Sequence, residues 1–439
     1  MISNIPFETE KKRVVIVGGG FGGLKLASDL NPKYFQIILL DKNNYHQFQP
    51  LLYQVAITGL EESSIAYPFR KNFQKKTHVH FKMCELTRII PEESTIETTI
   101  GSLTYDYLVL ACGCDTNFFG NEKLRHNTLT LKSVSDAIFV RNHILQSLED
   151  ATTTEDDDEL RKLLTFVIVG GGATGVELAG ALADVKNYVL PKDYPEIDFS
   201  KMEIRLIDAS PRLLASMSEY ASSHAAETLK KRGVIIHQGV SVSSYENCVV
   251  TMSDGTQLHS KSLLWVAGIK GHTLNGLKSE NYGKGNRIIV NEYCQVEGFS
   301  TIFAIGDNAI MPTSDYPNGH PQMAPGAIQM ADLTAKNLQK IMEGKQLEKF
   351  RFIDKGSLAT IGRNAAVADF GKLKFGGKVA WWLWLWVHIF VILGVKNKIL
   401  VMFDWAWDYV TYDISLRLLI RPKYCTLAIQ RQCQEKSSH

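Results

Sequence analysis

The stretch Val14–Gly23 reads VVIVGGGFGG and decides the fold of the first part of the chain. Its four leading apolar residues predict a buried strand. Gly18, Gly20 and Gly23 follow with the spacing G-x-G-x-x-G, ahead of the helical run Leu24–Leu30. The first glycine permits a tight turn, the second lets the backbone approach a pyrophosphate, and the third allows close packing of helix on strand. Because the helix N-terminus then points at the anion, the stretch predicts a dinucleotide-binding turn.

An acidic residue and a second copy of the pattern support this interpretation. Asp41 ends the next apolar strand, at a distance from Gly23 where a carboxylate would hold an adenosine ribose. The pattern recurs as TFVIVGGGATGVE at Thr165–Glu177, and Asp208 closes the strand that follows. Glycine turns can be purely structural, but two copies of strand, glycines, helix and acid favour two nucleotide sites. The sequence therefore predicts an α/β protein with two Rossmann-like dinucleotide-binding domains.

Composition describes a globular protein with an unusual C-terminal end. The 439 residues are 45% hydrophobic and 21% charged, enough for about two or three domains with ample core. A net charge of +2 gives no reason to expect a nucleic-acid partner. Residues 371–439 are strongly basic, however, and hold most of the tryptophans. A basic, tryptophan-rich end on an otherwise slightly acidic chain suggests contact with an anionic membrane surface.

Cysteines and histidines give no sign of a metal or a redox pair. The seven cysteines form no C-x-x-C, and the two nearest neighbours, Cys112 and Cys114, have one residue between them. We therefore expect reduced thiols. The twelve histidines show no paired-ligand spacing, so we expect no metal. The N-terminus has no apolar signal segment, which predicts that the protein remains on the cytoplasmic side.

Two later segments point to the first nucleotide site. Thr301–Ala304 is an apolar strand that we expect to return the chain to the first domain, and it runs into Gly306 and Asp307. The carboxylate can accept a hydrogen bond from a ribitol hydroxyl or, alternatively, cap the next turn. A helix predicted at Met323–Leu338 starts near the same place, which makes Gln329 a candidate for contact with a ring system.

Other segments carry less specific expectations. The aromatic and amide-rich stretch Lys42–Ala56 either lies beside a flavin ring or is an ordinary loop with core anchors. Val79–Ile90 and Ser94–Leu103 predict a β-meander. Residues 115–130 predict a crossing between domains, and the acidic run Glu155–Glu159 predicts a solvated loop.

The C-terminal end predicts a pair of interfacial helices. Val379–Val395 is 17 nearly apolar residues, short of the roughly 20 that span a bilayer, and its tryptophans prefer the interface. Ile399–Ile420 is amphipathic, and the basic residues nearby suit lipid phosphates. These are Lys396, Lys398, Arg421 and Lys423. A spanning helix is the less favoured alternative, and a dimerisation face or a core helix also fits the pattern.

Several motifs together resemble one family. The segments GGGFGG, NYHQFQPLLYQVA, VIVGGGATGVELAG, TIFAIGD and KGSLATIGR, with the tryptophan-rich end, resemble type II NADH:quinone oxidoreductases from Arg13 to about Pro422. The resemblance implies one non-covalent FAD, NADH as substrate, a membrane quinone as acceptor, and no proton pumping. It also implies a peripheral protein on the cytoplasmic face of the membrane, bound through residues 379–423, and a homodimer.

The resemblance assigns site residues by position. For FAD they are Gly18, Gly20, Gly22, Gly23, Asp41, Lys42, Leu86, Ala111, Gly306, Asp307 and Pro325. For NADH they are Gly170, Gly172, Ala173, Thr174, Gly175, Glu177, Asp208 and Gly268. Glu177 and Gln329 are the candidate catalytic residues, lining the quinone pocket.

Glu177 and Asp208 also have interpretations of their own. Glu177 is a plausible proton relay, or else a first-turn carboxylate that complements the helix dipole. Asp208 favours NADH over NADPH, because a carboxylate on the 2′-hydroxyl would repel a 2′-phosphate. One departure from the family concerns the helix facing the flavin, where many members read A-Q-x-A-x-Q-Q and this chain has Pro325 and Met330. Pro325 has no N–H to donate, so the geometry of the quinone pocket stays open.

The predicted domain bounds follow from the two turns and the returning strand. Residues 1–115 and 300–366 form the FAD-binding domain, residues 116–299 the NADH-binding domain, and residues 367–439 the membrane-anchoring region. A sulfide:quinone oxidoreductase is the enzymatic alternative, although it would need redox cysteines at the flavin and no second nucleotide site. A non-catalytic NADH-responsive flavoprotein, acting as a sensor or scaffold, is the alternative from another class.

Overall fold

The computed structural model describes residues 2, 5, 8, 10–76, 78–411 and 417–419. The first region builds a parallel sheet from continuous apolar strands, the pattern of strands buried on both faces. Its elements are β1 (Lys12–Val17), α1 (Phe21–Asp29), β2 (Phe35–Asp41), β3 (Tyr45–Gln47), α2 (Leu52–Ala56), α3 (Glu62–Ile65), β4 (Ala66–Pro68), α4 (Phe69–Asn72), β5 (Val79–Met83), β6 (Leu86–Ile90), β7 (Thr95–Thr98), β8 (Gly101–Thr104) and β9 (Tyr107–Leu110).

The second region repeats the strand, turn and helix order of the first. Its elements are β10 (Cys114–Thr116), α5 (Glu122–Asn127), β11 (Leu129–Thr130), α6 (Val134–Thr152), α7 (Asp157–Leu164), β12 (Thr165–Val169), α8 (Ala173–Tyr188), α9 (Leu190–Asp193), β13 (Glu203–Asp208), α10 (Glu219–Lys231), β14 (Val234–Gln238), β15 (Val242–Glu246), β16 (Val249–Met252), β17 (Gln257–His259), β18 (Ser262–Trp265) and β19 (Ile269–Gly271).

The third region closes the first sheet and adds the C-terminal elements. They are β20 (Tyr282–Gly283), β21 (Arg287–Ile289), β22 (Ile302–Ala304), β23 (Ala309–Ile310), α11 (Ala324–Met342), β24 (Ser357–Gly362), β25 (Ala365–Phe370), β26 (Leu373–Gly377), α12 (Lys378–Val391) and α13 (Val395–Thr411).

Two five-stranded parallel sheets carry the two glycine turns. The first has the order β22-β9-β1-β2-β5 and the second β11-β18-β12-β13-β14, so each turn follows the central strand of its sheet. Val15 pairs with Ile38 and Leu108, and Val167 pairs with Arg205 and Leu263. The α/β class with two Rossmann-like sheets is thus confirmed, and so is the return of the chain to the first sheet through β22.

Two local predictions were wrong, and the segment predicted to cross between domains contains regular structure. β5 joins the parallel sheet beside β2, so only β6, β7 and β8 form the meander. The expected crossing at residues 115–130 contains α5 and also β11, which extends the second sheet. The acidic run is not a loop, because the Asp156 side chain accepts from the Asp158 amide and starts α7. Acidic residues in a first turn stabilise a helix through its dipole.

The C-terminal elements pack directly on the second nucleotide domain. β24, β25 and β26 form an antiparallel sheet, and β24 lies so close to α8 that a Cβ at Gly180 would be 2.2 Å from the carbonyl oxygen of Ile361. The side chain of Trp384 on α12 is 1% exposed and belongs to the same core as α8. The β24–β25–β26 sheet, α12 and the second domain therefore share one hydrophobic core.

Two helices follow the hairpin and leave an apolar surface. α12 ends at Val391, and a turn with Gly394 at φ 82° leads into α13, so the predicted segment Val379–Val395 consists of α12, this turn and the first residue of α13. Large side chains of both helices are exposed, among them Trp382, Trp386, Phe390, Phe403 and Trp407. Within the described ranges no helix combines the length and apolarity that crossing a membrane requires. The expectation for Ile399–Ile420 falls partly on residues 412–416 and 420, outside the described residues, as do Arg421 and Lys423.

Candidate functional site

Three glycines of the first turn are packed against the protein, and one faces open space. A Cβ at Gly18, where φ is 101°, would be 2.3 Å from the carbonyl oxygen of Ala111, and one at Gly23 would be 1.8 Å from that of Gly18. Gly22 is packed under the Ile305 side chain and the Ala327 carbonyl. A Cβ at Gly20, in contrast, would meet nothing within 4 Å. The turn is therefore closed toward the protein and open at the helix N-terminus.

Asp41 fixes this turn from the end of β2. One carboxylate oxygen accepts from the Gly19 amide at 2.6 Å and the other from the Asn43 amide at 2.7 Å. Burial raises the pKa of Asp41, and the two amide hydrogen bonds and neighbouring Lys42 oppose that rise. His46, in the aromatic stretch, contacts the Gly19 carbonyl at 3.0 Å. The stretch therefore lies against the turn, and Lys42 is exposed beside it.

The second turn repeats this geometry. Gly170 has φ 118°, and a Cβ at Gly175 would be 1.8 Å from the Gly170 carbonyl oxygen. Space around Gly172 is open, and the first-turn residues Ala173 and Thr174 are exposed. The Asp208 carboxylate accepts from the amides of Gly171 and Ser210.

Arg212, which follows Asp208 in sequence, points elsewhere. Its guanidinium donates to the carbonyl oxygens of Ala215 and Met217, at 2.7 and 2.9 Å. Both donations hold the side chain in its own loop. Hydrogen bonds to two backbone carbonyls therefore hold the guanidinium of Arg212.

The end of β22 brings a third group to the first site. Gly306 has φ 73°, and its amide lies 3.4 Å from the sulfur of Met330. The Asp307 carboxylate is 3.4 Å from Cys114 Sγ, which in turn lies 3.2 Å from Lys132 Nζ. Sequence reasoning missed Lys132, since nothing in its local pattern shows that it returns to β10.

The remaining residues predicted for FAD lie at the ends of a strand or a helix or at the start of a strand. Ala111 follows β9 directly and donates its N–H to the Val17 carbonyl at 2.8 Å. Leu86 is half-buried at the start of β6, and Pro325 occupies the first turn of α11. Together with the glycine turn, the Asp41 strand end and Gly306, these positions fit an elongated dinucleotide.

Gln329, which was predicted to line the quinone pocket with Glu177, is held by the backbone of Ile353. Its amide nitrogen donates to the Ile353 carbonyl at 3.0 Å, and its amide oxygen accepts from the Ile353 N–H at 2.8 Å. Ala327, by contrast, packs against the first turn. Two residues along a helix turn the side chain through about 200°, so Gln329 points away from that side.

Glu177 lies between two cavities. The smaller, about 110 Å³, is lined by Thr174, Trp265 and Gly268 from the second domain and by Lys132. The larger, about 160 Å³, is lined mainly by α8, the β24–β25 hairpin and the aromatic residues of α12 and α13. Only two side chains, Glu177 and Tyr53, are common to the linings of both.

Burial gives Glu177 an unusual protonation range. It is 8% exposed, and burial raises its pKa to about 8 against opposition from the nearby Thr360 backbone and Trp384 indole. The group can thus hold a proton near neutral pH and release it within the same range. Trp384 also stacks on His388 at 4.0 Å, and burial lowers the pKa of that imidazole to about 4.

The cysteines near the first site are not arranged for thiolate chemistry. Burial raises the pKa of both Cys112 and Cys114 to about 12, which keeps them as thiols at neutral pH. The described cysteines are all free. Across the residues placed by the structure, His, Cys, Asp and Glu nowhere form a group of three that could hold a metal ion.

The chain matches two family models over most of its length. The model described as "Pyridine nucleotide-disulphide oxidoreductase" matches residues 12–331, and the one described as "NDH2 C-terminal domain" matches residues 355–411. Among solved structures, that of NDH2 from Plasmodium falciparum in complex with NADH is similar with a TM-score of 0.85 at 22% identity, covering 94% of this chain and 100% of that one. The sulfide:quinone oxidoreductase from Aquifex aeolicus gives 0.70 at 19%, covering 92% and 96%. These likenesses show the fold.

Curated relatives carry the family assignment. Type II NADH:quinone oxidoreductase Ndh from Mycobacterium tuberculosis is 33% identical over 416 residues, covering 91% of this chain and 89% of the relative. Type II NADH:quinone oxidoreductase from Staphylococcus aureus is 29% identical over 380 residues, covering 84% and 93%. The chain therefore belongs to the type II NADH:quinone oxidoreductases, flavoprotein enzymes that oxidise NADH and reduce quinone without pumping protons.

Proposed function

We propose that this chain oxidises NADH through one non-covalently bound FAD and passes two electrons to a membrane quinone. The observation that carries the proposal is the position of Glu177 and Tyr53 in the wall common to two cavities. The smaller cavity lies beside the second glycine turn, where NADH would enter. The larger lies under α12 and α13, where an apolar quinone would arrive from a bilayer.

The two glycine turns would hold the two dinucleotides. Gly18, Gly20 and Gly23 suit the FAD pyrophosphate, and Asp41 and Asp307 accept hydrogen bonds from its hydroxyl groups. When bound, FAD accepts a hydride from NADH and supplies two electrons to the quinone. The predicted domain bounds belong to this proposal: residues 1–115 and 300–366 around FAD, residues 116–299 around NADH, and residues 367–439 toward the membrane.

Residues of the second domain would select and position NADH. Gly172 and Gly175 suit its pyrophosphate, with Ala173 and Thr174 exposed at the same helix start. The Asp208 carboxylate favours a ribose 2′-hydroxyl over a 2′-phosphate, and the guanidinium of Arg212 is hydrogen-bonded within its own loop. Glu177, partly protonated near neutral pH, would deliver a proton toward the quinone.

The apolar surface of α12 and α13 would bind a lipid surface. Trp386, Phe390 and Phe403 are more than half exposed, and Lys396 and Lys398 lie at the start of α13. Tryptophan and lysine suit the boundary between headgroups and acyl chains. The protein would then be peripheral, on the cytoplasmic face, and a second copy could pair through the same region to form a homodimer.

Separating the two half-reactions tests the function. Anaerobic NADH should bleach the flavin of the purified enzyme rapidly and NADPH slowly, and a short-chain quinone should restore the colour at a rate that supports turnover. Bleaching without recovery would favour an NADH-responsive sensor over an enzyme. Bleaching of the flavin by sulfide, and by neither nucleotide, would favour a sulfide:quinone oxidoreductase.

Vesicle flotation tests the lipid surface. The double variant Trp386→Ser, Phe390→Ser should lose most binding to anionic vesicles, because burying one large apolar side chain contributes about 1.5–3 kcal/mol. Phe139→Ser, which alters an aromatic residue 60% exposed on α6, is the matched control and should bind as wild type does. Equal binding by all three proteins would rule this surface out.

A further inference from the structure

Two hydrogen bonds connect α13 with the wall between the cavities. The indole N–H of Trp405 donates to Gln54 Oε1 at 2.7 Å, and Gln54 Nε2 donates to the hydroxyl oxygen of Tyr53 at 2.9 Å. Gln54 and Tyr53 belong to α2, whereas Trp405 lies more than 350 residues later. Trp405 and Gln54 line the larger cavity, and Tyr53 lines both.

The chemistry of the three groups sets the direction of these bonds. An indole N–H can only donate, so the side-chain oxygen of Gln54 must face Trp405 and its NH₂ group must face Tyr53. The Tyr53 oxygen is therefore an acceptor in this contact, and its own proton has to point elsewhere. The hydrogen bond from Trp405 therefore orients Gln54, and Gln54 in turn orients the hydroxyl group of Tyr53.

The Tyr53 proton has no acceptor in the part of the chain that the structure describes. Tyr53 is 4% exposed, and the hydrogen bond from Gln54 is the one found for its hydroxyl among the described residues. A buried donor without an acceptor costs free energy, unless a ligand supplies one. Burial also raises the pKa of Tyr53 well above its ordinary value, with the charge of Glu177 adding to the effect, so the hydroxyl keeps its proton.

We propose that Tyr53 donates a hydrogen bond to a carbonyl oxygen of the quinone in the larger cavity, and that Gln54, held by Trp405, is the positioning residue that keeps this donor aimed. The inference rests on the quinone reductase function proposed above. A carbonyl oxygen gains negative charge as electrons arrive, so a fixed neutral donor stabilises the reduced product more than the substrate.

Gln54→Glu is the decisive variant. It is close in size, but a carboxylate accepts from both neighbours, so Tyr53 would donate to the introduced carboxylate rather than into the cavity. We expect kcat/KM for quinone to fall about tenfold, the usual scale for one such hydrogen bond. The rate of flavin reduction by NADH should be unchanged. Tyr53→Phe should give a similar fall, with flavin content and melting temperature showing that each variant folds.

A double-mutant cycle separates this effect from the added negative charge. If Gln54→Glu acts by capturing the Tyr53 proton, it should have no further effect in a Tyr53→Phe background. A second, equal fall in that background would show that the charge itself is responsible and would overturn the inference. Gln74→Glu, on an exposed segment of the first domain, is the matched control for adding a carboxylate.

Two other outcomes would also overturn the inference. Unchanged quinone kinetics in Tyr53→Phe would show that the donor is not used. Slower flavin reduction by NADH in Tyr53→Phe would place the donor in the smaller cavity, against the nicotinamide. Failure of the parent function is distinguishable, because the wild-type enzyme would then show no rapid quinone step before any variant is compared.

Discussion

The two glycine turns have the same local geometry but lead to helices that differ in sequence and in burial. In each, the third glycine sits where a Cβ would come within 1.8 Å of the first glycine's carbonyl oxygen, and an aspartate at the next strand end accepts from the turn. The helices differ two residues later. α1 has Lys25, with a 37% exposed side chain, and α8 has Glu177, which is 8% exposed.

The difference arises from what covers each helix. Lys25 forms ion pairs with Asp29 on its own helix and Asp332 on α11, at the protein surface. Glu177 lies under Thr360 of β24 and Trp384 of α12, elements that come from the far end of the chain. The proposed nucleotide sites therefore rest on local turns alone, whereas the burial of Glu177 depends on the C-terminal elements that cover it.

The largest expected effects come from the third glycines, and they should be separable by ligand. Gly23→Ala should lower the free energy of unfolding by more than about 4 kcal/mol and abolish FAD retention, because the methyl group collides with backbone. Gly175→Ala should retain FAD and lose NADH binding. Flavin content and NADH titration of the purified variants check this. If both variants lost the same ligand, the two turns would not serve separate nucleotides.

The second glycines are the matched controls for this pair. A methyl group at Gly20 or Gly172 would meet no atom within 4 Å, so Gly20→Ala and Gly172→Ala should fold with wild-type stability. Each should weaken only the dinucleotide that approaches that turn. A large stability loss in these controls would mean that any methyl group in the turn is destabilising, regardless of contact.

An intermediate effect is expected for Glu177→Gln, in the form of a pH dependence. The folded protein holds the Glu177 proton up to about pH 8, whereas the unfolded chain releases it near its ordinary pKa of 4.5. Unfolding therefore releases a proton between these values, and wild-type stability should fall as pH rises through that window. The variant should lack this component, on the order of 4 kcal/mol by pH 8.

Melting temperatures of both proteins between pH 5 and pH 8 measure this difference. The wild type should lose stability relative to the variant as pH rises, and the exposed-site variant Glu297→Gln should follow the wild type. Parallel curves for wild type and Glu177→Gln would show that the carboxylate is ionised in the folded protein and does not store a proton.

The smallest effect is expected at the equivalent position of the first helix. Lys25→Gln removes two partly exposed ion pairs, each worth about 0.2–1 kcal/mol. Stability should fall by less than about 1 kcal/mol, and both half-reactions should proceed at wild-type rates. A pH dependence of stability altered as much as in Glu177→Gln would show that the two helices are more alike than their surroundings indicate.

The sequence predicted the structural features that depend on residues close together in the chain. The strands before Gly18 and Gly170, the helices after them and the aspartates at the next strand ends all follow from local spacing. The placement of β5 did not, because a five-residue strand fits a meander as well as a parallel sheet. The start of α7 was missed although Asp156 is a common helix cap, since the acidic run suggested solvation.

The wall between the two cavities was only partly predictable from the sequence. Glu177 was predicted from the resemblance to the family, but Tyr53, Gln54 and Trp405 meet near it only because distant elements pack together. The hydrogen bonds of Gln329 with Ile353 could not be predicted for a related reason. The sequence puts it on the correct helix, but which side of α11 faces the first turn is set by Ala327 and the glycines it packs against.

The close approach at Gly180 has a mechanical consequence. Gly180 lets the backbones of α8 and β24 pack in direct contact, because any Cβ there would lie 2.2 Å from the Ile361 carbonyl oxygen, and β26 leads directly into α12. The carboxylate-bearing helix and the two C-terminal helices should therefore tilt, rise or descend together. Any surface that binds α12 and α13 then holds Glu177 at a constant depth below it.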